Sequence, residues 1–356
     1  MKTKIFRFFK IISFCMVVIL MVHCISDLFK PKWLENRWQS SKTNNSFYEL
    51  EKNSTDVLFL GSSVIAAALD PFQLYEEYGI SSYNLGVMQQ PMIGTFFWMK
   101  EALKTQSPKL IVVEIKTAGR VSDKDEADSR KSYEYMRWGK NKLQYALEYT
   151  NTNEQADIFE YLFPLSLYHT RWSELSRDDY NFVLGEDKSY TRGFATLTTR
   201  YENKETYKEY NGIREDDKKQ KDYNETNTKY LRRIIDLAKE NNIELLFVKT
   251  PDSAWNTYKH NYVVKITEKY KASFIDFNTK DKMKELDINF GRDGADSNHL
   301  NMDGAIKFTS YIGKYISEHY DFTEDSLSKK KKADMYNREM TNYKKVYEDA
   351  FAVMEK

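Results

Sequence analysis

Five short apolar runs set the frame of this 356-residue chain: "DVLFLG" (56–61), "SSYNLG" (81–86), "KLIVVEI" (109–115), "IELLFVKT" (243–250) and "ASFIDFN" (272–278). The second is the weakest; the others are unbroken, the pattern of strands buried on both faces. Helical stretches separate them, at about 92–106, 227–242, 256–270 and 301–320. In the second of these, Leu231, Ile234, Ile235, Leu237 and Ala238 fall on one face. Buried strands alternating with amphipathic helices predict a parallel sheet covered on both sides, a three-layer α/β/α sandwich. The alternation breaks once, from about 118 to 225, in a stretch rich in Tyr, Trp and charge that reads as a helical insertion.

The N-terminus predicts where this domain resides. Lys2, Lys4, Arg7 and Lys10 precede an uncharged apolar run from Ile11 to Ser26, extendable to Phe29 through Asp27. That is near the lower limit for a bilayer-spanning helix. The positive residues ahead of it place the N-terminus in the cytoplasm and the bulk of the chain outside. No small-x-small cleavage site appears between Val22 and Lys30, so the expectation is an uncleaved signal anchor in a cell membrane, single-pass, rather than a removed signal peptide. The expected organisation is a cytoplasmic N-terminus and anchor (1–29), a juxtamembrane linker (30–55), and an α/β domain (56–322) carrying the insertion. A charged helical tail (323–356) follows, whose "KKKK" (329–332) reads as a solvated face.

Charge and cysteine content exclude several classes. Lys plus Arg number 54 against 53 Asp plus Glu, a net charge of +1, so no global field recruits nucleic acid. Cys15 and Cys24, the only cysteines, both lie in the apolar segment, which leaves the expected exported domain no disulfide and no thiol site. His299 lacks a second His at ligand spacing, and no metal or other cofactor is expected.

In an open parallel sheet, ligands bind outside the carboxyl ends of the strands. The first strand runs into "GSSVIAAALDP", where Gly61 precedes Ser62 and Ser63 at a helix start. Either serine could merely cap that helix; either could also be a nucleophile whose own N–H faces a developing oxyanion. After the second strand, "NLGVMQQP" offers Gly86, with Gln89 and Gln90 close enough to line a cleft. Downstream of the last strand comes "DSNHLNMDGA" (296–305). Asp296, Asn298 or Asp303 could be helix caps there. An Asp three residues ahead of a His can also turn back to its Nδ1 and leave Nε2 facing a serine. The α/β-hydrolase elbow G-x-S-x-G is not matched, because Ile65 stands where its second Gly would be.

"DVLFLGSSV", "YNLG" and "DSNHLN" resemble blocks I, II and V of the SGNH/GDSL hydrolase superfamily, in that order, over roughly residues 55–117 and 226–320. The resemblance implies a flavodoxin-like sheet, with Ser63 as nucleophile, His299 as general base and Asp296 as its orienting carboxylate. It also implies an oxyanion hole from the N–H groups of Ser63 and Gly86. Ser62 replaces the Asp of the G-D-S triplet, and the block III Asn is absent from "VVEIKTAGR", where Thr117 or Lys116 could supply the missing donor. That departure is similar to the membrane-anchored branch represented by alginate-type O-acetyltransferases and the D-alanylation protein of teichoic acid operons. Within the insertion, "FPLSLYHTRW" groups His169, Arg171 and Trp172, either as a sugar-binding wall or as ordinary surface and core residues. His260 and His319 read as surface groups.

The resemblance therefore implies a bacterial, extracytoplasmic serine O-acyltransferase. It would modify a cell-surface polysaccharide or teichoic acid with acyl groups, acetyl first among them, supplied by a polytopic membrane-bound O-acyltransferase. A carbohydrate esterase of the same fold and a catalytically idle polymer-binding scaffold are the alternatives.

Overall fold

The computed structural model describes residues 2–120, 125–185, 188–201, 224–323 and 326–355. They divide into two compact units, Met1–Lys32 with Ala146–Lys188, and Trp33–Tyr145 with Ser189–Lys356.

The second unit holds the sheet. Its strands are β1 (Val57–Ser62), β2 (Ser82–Val87), β3 (Leu110–Glu114), β4 (Glu244–Lys249) and β5 (Ser273–Asp276). All pair in parallel, in the order β2-β1-β3-β4-β5. Each expected apolar run forms a strand. Successive side chains point to opposite faces. Val57, Phe59, Leu110, Val112, Leu246 and Val248 pack in one cluster with Ile65, Phe308 and Ile312. Leu58, Leu60, Ile111, Val113 and Phe247 face the other way and are equally buried. Helices α3 (Ser63–Ala68) and α4 (Pro71–Tyr78), with helix Met302–His319, cover the first face. Helix α5 (Met92–Ala102) and helix Glu225–Glu240 cover the second. The three-layer α/β/α arrangement follows from β1, β2 and β3, which are buried along their whole length and leave neither face wet.

Strand β2 lies at the edge of the sheet, where unpaired backbone groups need partners. The Asn84 N–H donates to the Arg192 carbonyl at 3.0 Å, and the Ser82 N–H donates to the Tyr336 hydroxyl at 2.9 Å. Gly193 makes the first contact feasible: its φ is +88°, and a Cβ there would lie 1.8 Å from the Asn84 carbonyl oxygen.

Two expectations need correcting. Residues from Trp33 onward, expected as a linker, are built into this unit. Helix α2 (Ser40–Phe47) buries Ser41, Asn44 and Phe47, and the Thr43 carbonyl accepts the Tyr83 hydroxyl at 2.7 Å. The tail helix Ser326–Met354 is not solvated all round. Tyr343 stacks on Phe72 at 4.1 Å and Tyr336 on Tyr75 at 3.8 Å, while Lys332, from the lysine run, reaches Asp56 at 2.5 Å. Tyrosines at helical spacing supply an apolar face that the charge run masks in the sequence, and the stem of a lysine packs as hydrocarbon.

The first unit contains helix α1 (Lys2–Phe29), whose segment Ile5–Phe29 is apolar enough and long enough to cross a membrane. With it go the short helices Ile158–Leu162, Leu165–Tyr168 and Arg177–Val183. The expected insertion is thus shared out: residues 146–188 belong to the first unit, and its flanks belong to the second. Residues 202–223 lie outside the described residues.

Candidate active site

The chain leaves β1 at Ser62 and enters α3 at Ser63, so the Ser63 N–H is among the first-turn donors that lack an intrahelical acceptor. The Ser63 hydroxyl lies 2.9 Å from His299 Nε2. On the far side of the ring, Asp296 Oδ2 and Oδ1 lie 2.8 and 2.9 Å from Nδ1. With a carboxylate there, the neutral imidazole keeps its proton on Nδ1, and Nε2 accepts from the serine.

Local folding produces this arrangement. Asp296 Oδ1 accepts the N–H groups of Asn298 at 2.7 Å and His299 at 2.9 Å, the turn that Asp favours through its short side chain. The loop closes where the Ala295 N–H donates to the His299 carbonyl at 2.8 Å. Ser253, in the loop after β4, pins it from outside: its N–H and hydroxyl donate to the Ser297 carbonyl at 3.0 and 2.7 Å. Burial works to raise the Asp296 carboxyl, but the His299 hydrogen bond and charge and the two backbone donors outweigh it, and the group is held below its ordinary range. The N-cap reading of Asp296, Asn298 or Asp303 is not what the structure shows. Asn301 caps the following helix, accepting the Gly304 N–H at 3.1 Å.

The other expected site residues divide. Gly86 sits in β2 opposite Gly61, and a Cβ on it would lie 2.7 Å from Ile65 Cγ2 and 2.8 Å from the Ala66 nitrogen. The glycine therefore lets β2 approach α3. Its N–H, expected as an oxyanion donor, already donates to Asn84 Oδ1 at 3.0 Å. Thr117 is buried in the turn Lys116–Gly119 that follows β3, and its hydroxyl has no hydrogen-bond partner among the described residues. Gln90 is buried and donates to Thr95 Oγ1 at 3.2 Å. Gln89 is exposed and engages Arg120 through its side-chain and backbone oxygens. His169, Arg171 and Trp172 belong to the first unit, whereas the Ser–His–Asp group belongs to the second. The Arg171 guanidinium is taken by the Phe29 carbonyl at 2.5 Å and by Asp179 at 3.5 Å. His260 is not a plain surface group, since its Nδ1 lies 2.7 Å from Asp276 Oδ2. His319 is exposed, as expected.

Sequence reading missed two features. Trp38 packs edge-on against His299, ring centroids 5.0 Å apart. It comes from the segment taken as linker, and only its being an aromatic in a polar stretch could have flagged it. The second feature is a buried charge network behind the Ser62–Ser63 turn. Lys249 at the end of β4 has no exposed surface, and it pairs with Glu114 at 3.1 Å and Asp252 at 3.3 Å. Glu114 Oε2 also accepts the Lys116 N–H at 3.1 Å and the Ser62 hydroxyl at 3.4 Å. Burial opposes the charge on Lys249, but the two carboxylates outweigh it and hold its pKa above the ordinary lysine value. Burial likewise opposes the Asp252 charge, and Lys249 and Lys116 overcome it. The signal was present as a charged residue at the carboxyl end of each of two apolar strands, in "VVEI" and "FVKT".

No protein-family profile and no curated protein sequence matches the chain. Solved structures of similar fold include a proposed acylhydrolase of Bacteroides fragilis NCTC 9343, 12% identical, with a TM-score of 0.38 over 82% of this chain and 99% of that one. A GDSL-like lipase of Bacteroides thetaiotaomicron VPI-5482 is 9% identical, with a TM-score of 0.38 over 79% of this chain and 100% of that one. A proposed GDSL-like lipase of Parabacteroides merdae ATCC 43184 is 12% identical, with a TM-score of 0.33 over 76% and 99%. At these values the neighbours lend no residue roles. The chemistry rests on the geometry of this chain.

Proposed function

We propose that this protein is an SGNH-type serine O-acyltransferase, anchored in the cell membrane by α1, that acylates a bacterial surface polysaccharide or teichoic acid outside the cytoplasm. One observation carries the enzyme reading: Ser63 Oγ, His299 Nε2 and the Asp296 carboxylate form an unbroken hydrogen-bonded line. A serine hydroxyl attacks a carbonyl only when a base takes its proton, and the base needs an orienting group. Those requirements are met by residues from opposite ends of the domain.

The reaction would run in two halves. Ser63 Oγ attacks the acyl carbonyl of the donor ester as its proton passes to His299 Nε2, and the new oxyanion lies toward the Ser63 N–H. Collapse breaks the bond to the donor alkoxide, which takes the proton from His299, leaving an acyl-serine. A hydroxyl of the acceptor polymer then loses its proton to His299 and attacks the acyl-serine. Collapse frees Ser63 Oγ, which recovers the proton. Asp296 stays ionised throughout and stabilises the imidazolium. Thr117 remains a proposed second oxyanion donor, because its buried hydroxyl has no hydrogen-bond partner among the described residues. Gly86 would join only if its N–H left Asn84.

Acetyl is the favoured acyl group, and a polytopic membrane-bound O-acyltransferase is the proposed donor partner. The support is the sequence resemblance together with an apolar helix long enough to hold the chain at a membrane. Hydrolysis is the same chemistry with water as acceptor, so a carbohydrate esterase is the companion reading. The test incubates the full-length protein in detergent with an activated acetyl ester, with and without sugar acceptors. Acceptor-dependent acetyl transfer that disappears in Ser63→Ala is expected. Hydrolysis indifferent to every acceptor would favour the esterase, and no turnover with no serine labelling would leave the scaffold.

A further inference from the structure

The first unit has a feature that acyl transfer does not use. Its segment 146–188 contacts the end of α1 through helix Leu165–Tyr168, the turn His169–Ser173 and helix Arg177–Val183. The last carbonyls of a helix have no intrahelical donors, and in a bilayer they must still be satisfied. Here basic side chains do so. Lys32 Nζ donates to the carbonyls of Asp27 at 2.8 Å and Leu28 at 3.1 Å, and Arg171 donates to that of Phe29 at 2.5 Å. Asp179 pairs with Lys32 at 3.2 Å and Arg171 at 3.5 Å, tying helix Arg177–Val183 to this end.

The same segment turns large apolar side chains outward. Phe159, Phe163, Trp172, Tyr180, Val183 and Leu184 are all exposed within residues 159–184, Trp172 and Leu184 at 72% each. The second unit, several times longer, exposes five large hydrophobic side chains among its described residues. The segment does bury aromatics elsewhere, since Tyr149 and Tyr161 are covered and pair at 5.6 Å. Its outward face is therefore not a failure to form a core. Phe159 and Phe163 also pair with each other at 5.0 Å while both stay exposed. Trp172 directly follows the arginine that donates to the final carbonyl of α1, so the chain carries it beside that end of the apolar helix. Trp, Tyr and basic residues concentrate at that depth of a membrane, and apolar faces of short helices settle in the headgroup layer.

We propose that residues 146–188 form a collar beside the exit of α1, with Phe159, Phe163, Trp172, Val183 and Leu184 inserted into the outer headgroup layer of the lipid bilayer. The occupant of this face is lipid: the face is continuous with the apolar helix, and Lys32 and Arg171 mark the phosphate level beside it. The inference rests on the reading of α1 as a membrane anchor. It gives Trp172 a role other than stacking on a sugar.

Full-length protein in phosphatidylcholine–phosphatidylglycerol nanodiscs tests it. Cys24→Ser leaves Cys15 for an environment-sensitive fluorophore inside α1. Cys15→Ser with Cys24→Ser, combined with Leu184→Cys or Trp172→Cys, carries the same fluorophore on the collar; both sites are largely exposed, so substitution leaves the packing intact. Lipids spin-labelled near the headgroup or deep in the acyl chain serve as quenchers. The Cys15 probe is expected to respond most to the deep label. The probes at 184 and 172 should be blue-shifted, lose most of their emission to the shallow label, and resist aqueous iodide. A lipid-quenched Cys15 probe with collar probes that iodide quenches overturns the collar and leaves the anchor standing. Collar probes that neither lipid label nor iodide reaches also overturn it, because protein then covers the face. An unquenched Cys15 probe removes the anchor and the collar together.

Discussion

Trp38 stands edge-on to the imidazole of His299, with ring centroids 5.0 Å apart and planes at 63°. An edge-to-face pair of this kind contributes about 0.5–1.5 kcal/mol, and here it bears on the ring that must hold one orientation between Ser63 and Asp296. Trp38 also packs on Ala67, Leu197 and Ala295, which joins the start of the domain to the histidine loop.

Trp38→Ala is therefore expected to lower kcat for acyl transfer by about tenfold, the upper end of that contact energy. Trp38→Phe should keep most of the rate. A rise in KM alone, with kcat unchanged in Trp38→Ala, would show that the indole meets substrate and leaves the imidazole alone.

Asp296→Asn keeps the shape of the loop but removes the charge that fixes the tautomer. Triads lose about 10⁴-fold in kcat on this change, and the rate of Ser63 acylation by a fluorophosphonate should fall comparably. Because Asp296 titrates below its ordinary value in the folded state, the stability it contributes is present above the unfolded carboxyl pKa and is lost as pH falls through the folded one. The Asn variant should lack that acid-side loss in thermal melts.

The buried Lys249–Glu114 pair makes a different kind of prediction. Removing one partner strands a charge in the core, which costs about 3–5 kcal/mol. Lys249→Met should therefore unfold at markedly lower denaturant than the parent protein. Lys249→Met with Glu114→Gln should recover much of the loss, since Glu114 then leaves no unpaired charge and Asp252 keeps Lys116 at 3.3 Å. Equal destabilisation of the single and double variants would count against the pairing.

Asp70 caps α4 by accepting the Phe72 N–H at 2.9 Å, and the Tyr343 hydroxyl reaches its other oxygen at 2.5 Å. Burial pushes its pKa up to about 6, against the hydrogen bonds that lower it. A raised folded pKa means the folded state binds the extra proton, so this contribution is full below the unfolded value and is lost as pH rises through about 6. Parent protein should gain thermal stability between pH 7 and pH 5 relative to Asp70→Asn, which keeps the cap without titrating.

Much of the fold was legible because burial on both faces favours an unbroken apolar run within a strand, and β1, β3 and β4 carry such a run between their ends. The Ser–Asp–His residues were legible for a related reason. The ends of parallel strands share one edge, so residues just beyond them are candidates for a common site before any coordinates exist. The chain order also places Asp296 and His299 on one loop, where an i, i+3 spacing lets the carboxylate turn back.

What the linear order could not decide was which polar groups the packing uses up. The Gly86 N–H is free on paper and occupied by Asn84 in the fold; Lys249 and Glu114 look like strand-end surface charges and are fully buried partners. Trp38 reaches His299 across the whole domain, and residues 146–188 join α1 rather than the sheet. These are contacts between distant segments, set by how volumes fill and how buried donors find acceptors. Local sequence carries the hydrophobic period that fixes strands and helices. Partner choice among polar groups depends on the closed three-dimensional packing and appears only there.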